Sequence, residues 1–198
     1  MNLPNKLTVL RILLVPVMLI ISFFNIPGEF LNVPTKMWIL DLIFIIASLT
    51  DQLDGHLARK NNQVTNFGKF LDPIADKILV LAAMLMFVEM RRLPAWIPII
   101  VIFREFAVSG YRLIVVQNNG KVIAANIWGK IKTVTQMIAI ILMFLDNNPY
   151  GAIFKGGITG FSFGLNLVVT LMMTVSVIAT IFSGYEYLKG GKDLLKDC

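Results

Sequence analysis

Four aspartates form the most evident group of chemically active residues in the sequence, and they come as two pairs. Asp51 and Asp54 are three residues apart, and Asp72 and Asp76 are four residues apart. On helices, each spacing places both carboxylates on one face. Such hard oxygen ligands favour Mg²⁺, Mn²⁺ or Ca²⁺ over Zn²⁺. Two cations held close together can clamp the attacking and leaving oxygens of a phosphoryl transfer, so the pattern predicts a dinuclear metal site.

The composition indicates which elements must position these carboxylates. Hydrophobic residues make up 57% of the 198 residues and charged residues only 15%, against about 45–50% and about 25% in soluble domains. This excludes a disordered chain and an ordinary soluble enzyme. It predicts an all-α integral membrane protein that forms one domain over residues 1–198. Six stretches reach the length of a spanning helix when flanking charges are included: 7–25, 37–53, 69–90, 95–116, 128–146 and 162–186.

The cysteine and the net charge exclude other classes. Cys198 is the only cysteine and the last residue, which leaves neither a disulfide framework nor a zinc site. In a chain this apolar, the net charge of +6 indicates positive-inside loops and anionic lipid head groups rather than nucleic acid. The first apolar run, 12–24, has no cleavage pattern after it, so we expect a retained span.

The Lys and Arg distribution predicts the orientation. If both termini share one side, most of the cations outside the spans lie there, and that side is cytoplasmic. Arg91 and Arg92 are a local exception on the other side. The same arrangement places both aspartate pairs at the cytoplasmic end of the second and third spans. Because charges at membrane depth should face a polar cavity rather than lipid, we expect a cytoplasmic-side active-site cavity there.

The residues between the two aspartate pairs allow two interpretations. Arg59 has a planar fork suited to phosphate, and Gly55 and Gly68 leave room for a bulky ligand. Small residues in membrane helices also serve as packing contacts. The aspartates themselves could pair with Arg59, Lys69 and Lys77 in a structural ion network. Four carboxylates at the edge of a span are a costly way to hold helices together, which favours the metal site.

This segment resembles, without a departure, the signature of the CDP-alcohol phosphotransferase family at eight fixed positions: Asp51, Asp54, Gly55, Ala58, Arg59, Gly68, Asp72 and Asp76. The resemblance implies six transmembrane helices, usually in a homodimer, and two divalent cations, Mg²⁺ or Mn²⁺, held by the four aspartates. It also implies that Asp76 takes the proton of the acceptor hydroxyl. The implied CDP-lipid-binding residues are Asn5, Thr8, Gly55, Ala58, Arg59 and Gly68.

Three further segments, 5–11, 104–112 and 129–133, resemble the bacterial members of this family that use glycerol 3-phosphate. The implied reaction is substitution at the β-phosphorus of CDP-diacylglycerol by the C1 hydroxyl of glycerol 3-phosphate. Its products are phosphatidylglycerol phosphate and CMP.

The cations in these segments predict an acceptor-phosphate site made of Arg11, Arg104, Arg112, Lys130 and Lys132. Arg104 and Arg112 lie eight residues apart on one helical face. A group of cations suits an acceptor that carries its own phosphate, which serine and choline do not. The alternative is that these cations hold lipid phosphates or reflect positive-inside statistics. Glu105 either orients a neighbouring arginine by ion pairing or packs against another helix.

Two other functions remain open from the sequence. One is a transferase of the same family with another acceptor alcohol. The other is a divalent-cation transporter with intramembrane aspartate ligands. Inverted repeats or half-helices would favour transport, and neither is visible in the sequence.

Overall fold

The computed structural model of the chain describes the backbone of residues 3–60, 66–117 and 127–190, and within them the side chains of 6–50, 71, 74–75, 77–111, 127–187 and 189. These ranges form six α-helices, a short β-hairpin and one 3₁₀ turn. The α-helices are α1 (Leu3–Phe23), α2 (Thr35–Lys60), α3 (Asn66–Glu89), α4 (Trp96–Gln117), α5 (Ile127–Leu145) and α6 (Gly160–Gly190). Of the prediction of an all-α protein, the mostly helical fold with six helices is confirmed, whereas the short hairpin was not expected. Helix α2 also continues to Lys60 rather than ending near residue 53.

Three helices in the described part of the chain are long and apolar enough to cross a membrane: Lys6–Phe23, Ile127–Leu145 and Gly160–Tyr187. Large apolar side chains are exposed along these helices, including Leu13 at 57% and Phe161 at 85%. Exposed apolar surface of this extent is typical of a protein surrounded by lipid. The protein is thus a membrane protein, while the count of six spans stays a prediction.

The fold contains two compact helical units, and the first comprises Met1–Arg92 and Ile141–Pro149. In this unit α1 packs against both α2 and α3. Its core includes three fully buried aromatic rings, Phe44 of α2, Phe87 of α3 and Phe144 of α5. The ring centroids of Phe87 and Phe144 are 4.6 Å apart, and those of Phe44 and Phe144 are 6.0 Å apart. This aromatic cluster holds together the helices that carry the aspartate pairs.

The loops of the first unit are joined by Arg92. Its Nη1 donates to the carbonyl oxygen of Asp146 at 3.0 Å, just beyond α5, and its Nη2 donates to Asn147 Oδ1 at 3.2 Å. Asn147 Nδ2 in turn donates to the carbonyl of Asn32, in the hairpin of β1 (Glu29–Phe30) and β2 (Val33–Pro34). Burial lowers the pKa of the Arg92 guanidinium, and the Asp146 carboxylate opposes that shift. Arg92, an exception to the predicted charge bias, is therefore a structural residue.

The second unit comprises Leu93–Ile140 and Tyr150–Cys198, and in it α4 packs against α6. The loop before α6, including the 3₁₀ turn Ala152–Phe154, is bonded to the side of that helix. The backbone N–H of Gly151 donates to Thr170 Oγ1 at 3.1 Å, and that of Ile153 donates to Asn166 Oδ1 at 3.2 Å. Because these acceptors are four residues apart, they lie on one face of α6. The prediction of one domain over residues 1–198 is not tested by this division and stays a prediction.

Candidate functional site

The two aspartate pairs lie on α2 and α3 of the first unit. Asp51 and Asp54 are in the last turns of α2, and Asp72 and Asp76 are in the first turns of α3. Because both segments are helical, the two members of each pair share one helical face, as the spacing predicts. The side chains of the four aspartates lie outside the described residues, as do those of Asn5, Ala58, Arg59 and Arg112 and the surroundings of Gly55 and Gly68.

Two predicted site residues on α1 are buried in the first unit. Thr8 is 1% exposed and Arg11 is fully buried, and their spacing of three residues puts them on one side of the helix. Arg11 Nε donates to the carbonyl oxygen of Ala47 at 3.2 Å. Ala47 is four residues before Asp51 on α2. The structure therefore places Arg11 against α2 one helical turn before the first aspartate pair.

In the second unit, two predicted acceptor-binding cations meet on one carboxylate. Arg104 Nη1 lies 2.9 Å from Glu105 Oε1, and Lys132 Nζ lies 2.5 Å from the same oxygen. The side chains of Arg104, Glu105 and Lys132 are only 12%, 19% and 9% exposed. Of the two interpretations of Glu105, the structure shows ion pairing. Among the described side chains, two cations share one anion, which gives these three poorly solvated groups a net positive charge.

Of the other predicted acceptor-binding cations, Lys130 and Arg11 have described surroundings elsewhere, and the side chain of Arg112 lies outside the described residues. Lys130 is exposed, whereas Lys132 is buried, because residues two apart point to nearly opposite sides of a helix. Arg112 lies on α4 eight residues after Arg104. Arg11 makes its described contact within the first unit. The structure thus brings together Arg104 and Lys132 of the predicted set.

Arg104 also contacts two residues of α6, Ser183 and Tyr187, which the sequence analysis did not predict. Its Nη2 donates to the hydroxyl of Ser183, which is fully buried. The guanidinium carbon lies 5.8 Å from the ring centroid of Tyr187. The available signal was the spacing of Ser176, Thr180 and Ser183, which places small polar residues on one face of an apolar helix. All three are 0% exposed.

An apolar cavity of about 300 Å³ opens beside Arg104 between α4 and α6. Its walls include Phe103, Val108 and Ile181, with Tyr111 and Tyr187 also lining it. Apolar walls suit hydrocarbon and disfavour a phosphate, whose charge would lose its hydration there. The cavity itself is therefore not suited to a phosphate.

Comparison with known proteins decides the family. The family model for CDP-alcohol phosphatidyltransferase matches residues 1–182. The chain belongs to this family. The match covers both aspartate pairs and all of the residues with predicted site roles, and it confirms the resemblance drawn from the sequence.

Relatives of the chain carry more specific names. A CDP-diacylglycerol–glycerol-3-phosphate 3-phosphatidyltransferase of Bacillus subtilis (strain 168) is 44% identical over 200 residues, covering 98% of this chain and 97% of the relative. A protein of the same name from Haemophilus influenzae is 36% identical, with 99% and 96% covered. A probable phosphatidylglycerophosphate synthase of Mycobacterium tuberculosis (strain H37Rv) is 34% identical, with 94% and 80% covered.

The donor set of this family member fits divalent cations. Four carboxylates supply only hard oxygen ligands, and the helical backbone of α2 and α3 gives each pair a common face. Mg²⁺ and Mn²⁺ prefer such ligands. If the four carboxylates converge, then without a cation they would repel one another and some would have to bind protons.

Proposed function

We propose that this protein transfers the phosphatidyl group of CDP-diacylglycerol to glycerol 3-phosphate, giving phosphatidylglycerol phosphate and CMP. The observation that carries the proposal is the 44% identity, over nearly the whole chain, to a relative named for this reaction. The cation cluster of Arg104 and Lys132 supports it, because an acceptor with its own phosphate needs such a site. The alternative function considered from the sequence, a divalent-cation transporter, is not favoured, because the chain belongs to a transferase family.

The proposed chemistry is a substitution at the β-phosphorus of CDP-diacylglycerol. The C1 hydroxyl oxygen of glycerol 3-phosphate forms a bond to that phosphorus, and the bond from phosphorus to the oxygen of CMP breaks. Asp76 accepts the hydroxyl proton, and CMP leaves with the bonding electron pair. A general base must lie within hydrogen-bond distance of the proton that it removes. The position of Asp76 near the start of α3 would therefore have to bring its carboxylate to the C1 hydroxyl of the acceptor.

We propose that Asp51, Asp54, Asp72 and Asp76 hold two divalent cations, Mg²⁺ or Mn²⁺. When bound, these cations would supply Lewis-acid stabilisation of the charge that develops on the phosphoryl oxygens. The helical faces that carry the aspartates and their all-oxygen chemistry support this assignment.

The proposed substrate contacts divide into two sets. The CDP-lipid set is Asn5, Thr8, Gly55, Ala58, Arg59 and Gly68. The acceptor-phosphate set is Arg11, Arg104, Arg112, Lys130 and Lys132. Of the second set, Arg104 and Lys132 have the most direct structural support, because both are poorly exposed and share one carboxylate. Charge-assisted hydrogen bonds from such groups to phosphate are about twice as strong as neutral ones.

We further propose that all six α-helices cross the cell membrane, with both termini and the active site on the cytoplasmic side. The excess of Lys and Arg on that side supports the orientation. The family resemblance also favours a homodimer.

The experiment that tests the proposed function compares acceptors. The purified protein is given CDP-diacylglycerol with glycerol 3-phosphate, serine, inositol or choline, and CMP release is measured. We expect release with glycerol 3-phosphate alone. Equal turnover with serine would overturn the proposed acceptor while leaving the family assignment intact.

A further inference from the structure

Residues of α6 contact Arg104 and fix its position, although the sequence pattern did not indicate these contacts. Its Nη2 donates to the buried hydroxyl of Ser183, and its guanidinium carbon lies 5.8 Å from the Tyr187 ring centroid. A Cβ added at Gly184 would sit 3.4 Å from Arg104 Cγ, so the backbone of α6 lies directly beside the arginine stem. A Cβ added at Gly129 of α5 would sit 3.6 Å from Nη2. The Arg104 side chain thus packs closely against the backbones of α5 and α6.

We propose that Ser183 is a positioning residue for the acceptor substrate, acting through Arg104. The inference deepens the proposed function, since it rests on Arg104 binding the phosphate of glycerol 3-phosphate. Ser183 fixes the guanidinium, and the guanidinium contacts the anion. Ser183 itself does not touch the reacting atoms.

Glu105 and Ser183, the two described hydrogen-bond partners of Arg104, differ in charge and so have different effects on it. Glu105 orients the guanidinium but offsets its charge, whereas the neutral Ser183 hydroxyl orients it and leaves the charge available. A guanidinium has five N–H donors, of which the described contacts use one on each Nη. In the part of the chain that the structure describes, the buried Nε has no hydrogen-bond acceptor. The described contacts thus leave one N–H on each Nη for an anion once the side chain is fixed, whereas the Nε is enclosed.

The same face of α6 offers matched comparisons. Ser176 and Thr180 are as fully buried as Ser183. Ser176 donates to the backbone carbonyl of Lys132 at 3.5 Å, and Thr180 donates to the carbonyl of Ser176 at 2.7 Å. Of these three hydroxyls, Ser183 is the one whose described contact is with a cationic side chain. Loss of the Thr180 hydroxyl, whose described hydrogen bond lies within α6, should therefore test burial and helix packing without altering Arg104 or Lys132.

The test is a set of steady-state measurements on the full-length purified protein with both substrates varied. Ser183→Ala should raise the KM for glycerol 3-phosphate about three- to tenfold, the effect of one ordinary hydrogen bond. The KM for CDP-diacylglycerol should stay within about twofold, since that substrate does not depend on this contact. Ser183→Thr, which retains a hydroxyl, should restore most of the acceptor affinity. Thr180→Val should leave both KM values unchanged.

Other results separate this inference from the proposed function. If Arg104→Gln leaves the KM for glycerol 3-phosphate unchanged, the acceptor role of Arg104 is wrong. If Arg104→Gln raises that KM and Ser183→Ala does not, only the positioning role is wrong. A Thr variant as impaired as the Ala variant, or equal changes in both KM values, would also overturn the positioning role. If Ser183→Ala does not fold, Ser183→Cys gives the same comparison with a weaker acceptor.

Discussion

Lys130 and Lys132 show how two like residues in one short segment acquire different environments. The sequence places both on the start of α5, and their charges are the same. The helix turns Lys132 inward to Glu105, while Lys130 remains exposed. A buried cation that is paired to a carboxylate has a defined position, whereas an exposed lysine is strongly hydrated and mobile. The two residues should therefore contribute unequally to binding an anion.

We predict that Lys132→Met raises the KM for glycerol 3-phosphate about tenfold or more, the effect of losing a charge-assisted hydrogen bond. Lys130→Met should change it by less than about threefold, since exposed charge contacts contribute little. Both KM values are measured by CMP release at saturating CDP-diacylglycerol. Equal effects of the two substitutions would mean that burial beside Glu105 does not define the acceptor site.

At the residue scale, the sequence singled out the charged residues of the Arg104 contact and missed the neutral one. Arg104 and Lys132 could be predicted because a cation in an apolar segment is costly and needs a purpose. Ser183 could not be predicted in the same way, because serine is common in membrane helices and costs little there. Its importance depends on which side chain α4 places opposite it, and that requires the packing of α4 on α6.

At the scale of elements, the end of α3 explains why two adjacent arginines occur together. Arg91 has a φ of +57°, and its backbone N–H donates to the carbonyl of Val88 at 3.0 Å. The N–H of Arg92 donates to the carbonyl of Phe87 at 2.8 Å. These two bonds form a Schellman motif, in which glycine is the usual residue at the left-handed position. The backbone of Arg91 is therefore strained, whereas the side chain of Arg92 stabilises the loops that it contacts.

We predict that the two arginines respond oppositely to substitution. Arg91→Gly should stabilise the protein by about 0.5–1 kcal/mol, because glycine adopts a positive φ without the steric penalty. Arg92→Met should destabilise it by about 1–3 kcal/mol, because the carbonyl of Asp146 and the amide of Asn147 lose a charged donor. Thermal unfolding in detergent measures both changes. A lower midpoint for Arg91→Gly would contradict the proposed strain.

The sequence predicted the long helices but not the short hairpin and 3₁₀ turn. Apolar runs bounded by Pro, Gly and Asn predicted all six helices to within a few residues, apart from the end of α2. The hairpin of Glu29–Phe30 and Val33–Pro34 and the 3₁₀ turn Ala152–Phe154 were missed. Elements of two or three residues are too short to show a period. The hairpin turn also places Leu31 at a φ of +52°, where its residue type gives no signal.

At the scale of the whole molecule, orientation in the membrane follows from charge rather than from packing. The Lys and Arg bias predicts both termini on the cytoplasmic side. The single cysteine, Cys198, is the last residue and provides a natural site for labelling. Lys155, exposed between α5 and α6, should lie on the opposite side.

We predict that a membrane-impermeant maleimide does not label Cys198 in intact cells and labels it once the membrane is opened. A Lys155→Cys, Cys198→Ser variant should instead react in intact cells. Labelling is read by the mass shift of the purified protein. Reaction of Cys198 in intact cells would reverse the proposed orientation.

In the proposed function, the two aspartate pairs of α2 and α3 carry out metal-dependent transfer to glycerol 3-phosphate. The most direct measurement is the stoichiometry of products formed by the reconstituted protein with Mg²⁺ or Mn²⁺. The wild-type protein should form one phosphatidylglycerol phosphate for each CMP and none with the metal chelated. Asp72→Ala should form neither product while keeping the wild-type circular dichroism spectrum. CMP release without glycerol 3-phosphate, or near-normal turnover by Asp72→Ala with metal dependence retained, would contradict the claim.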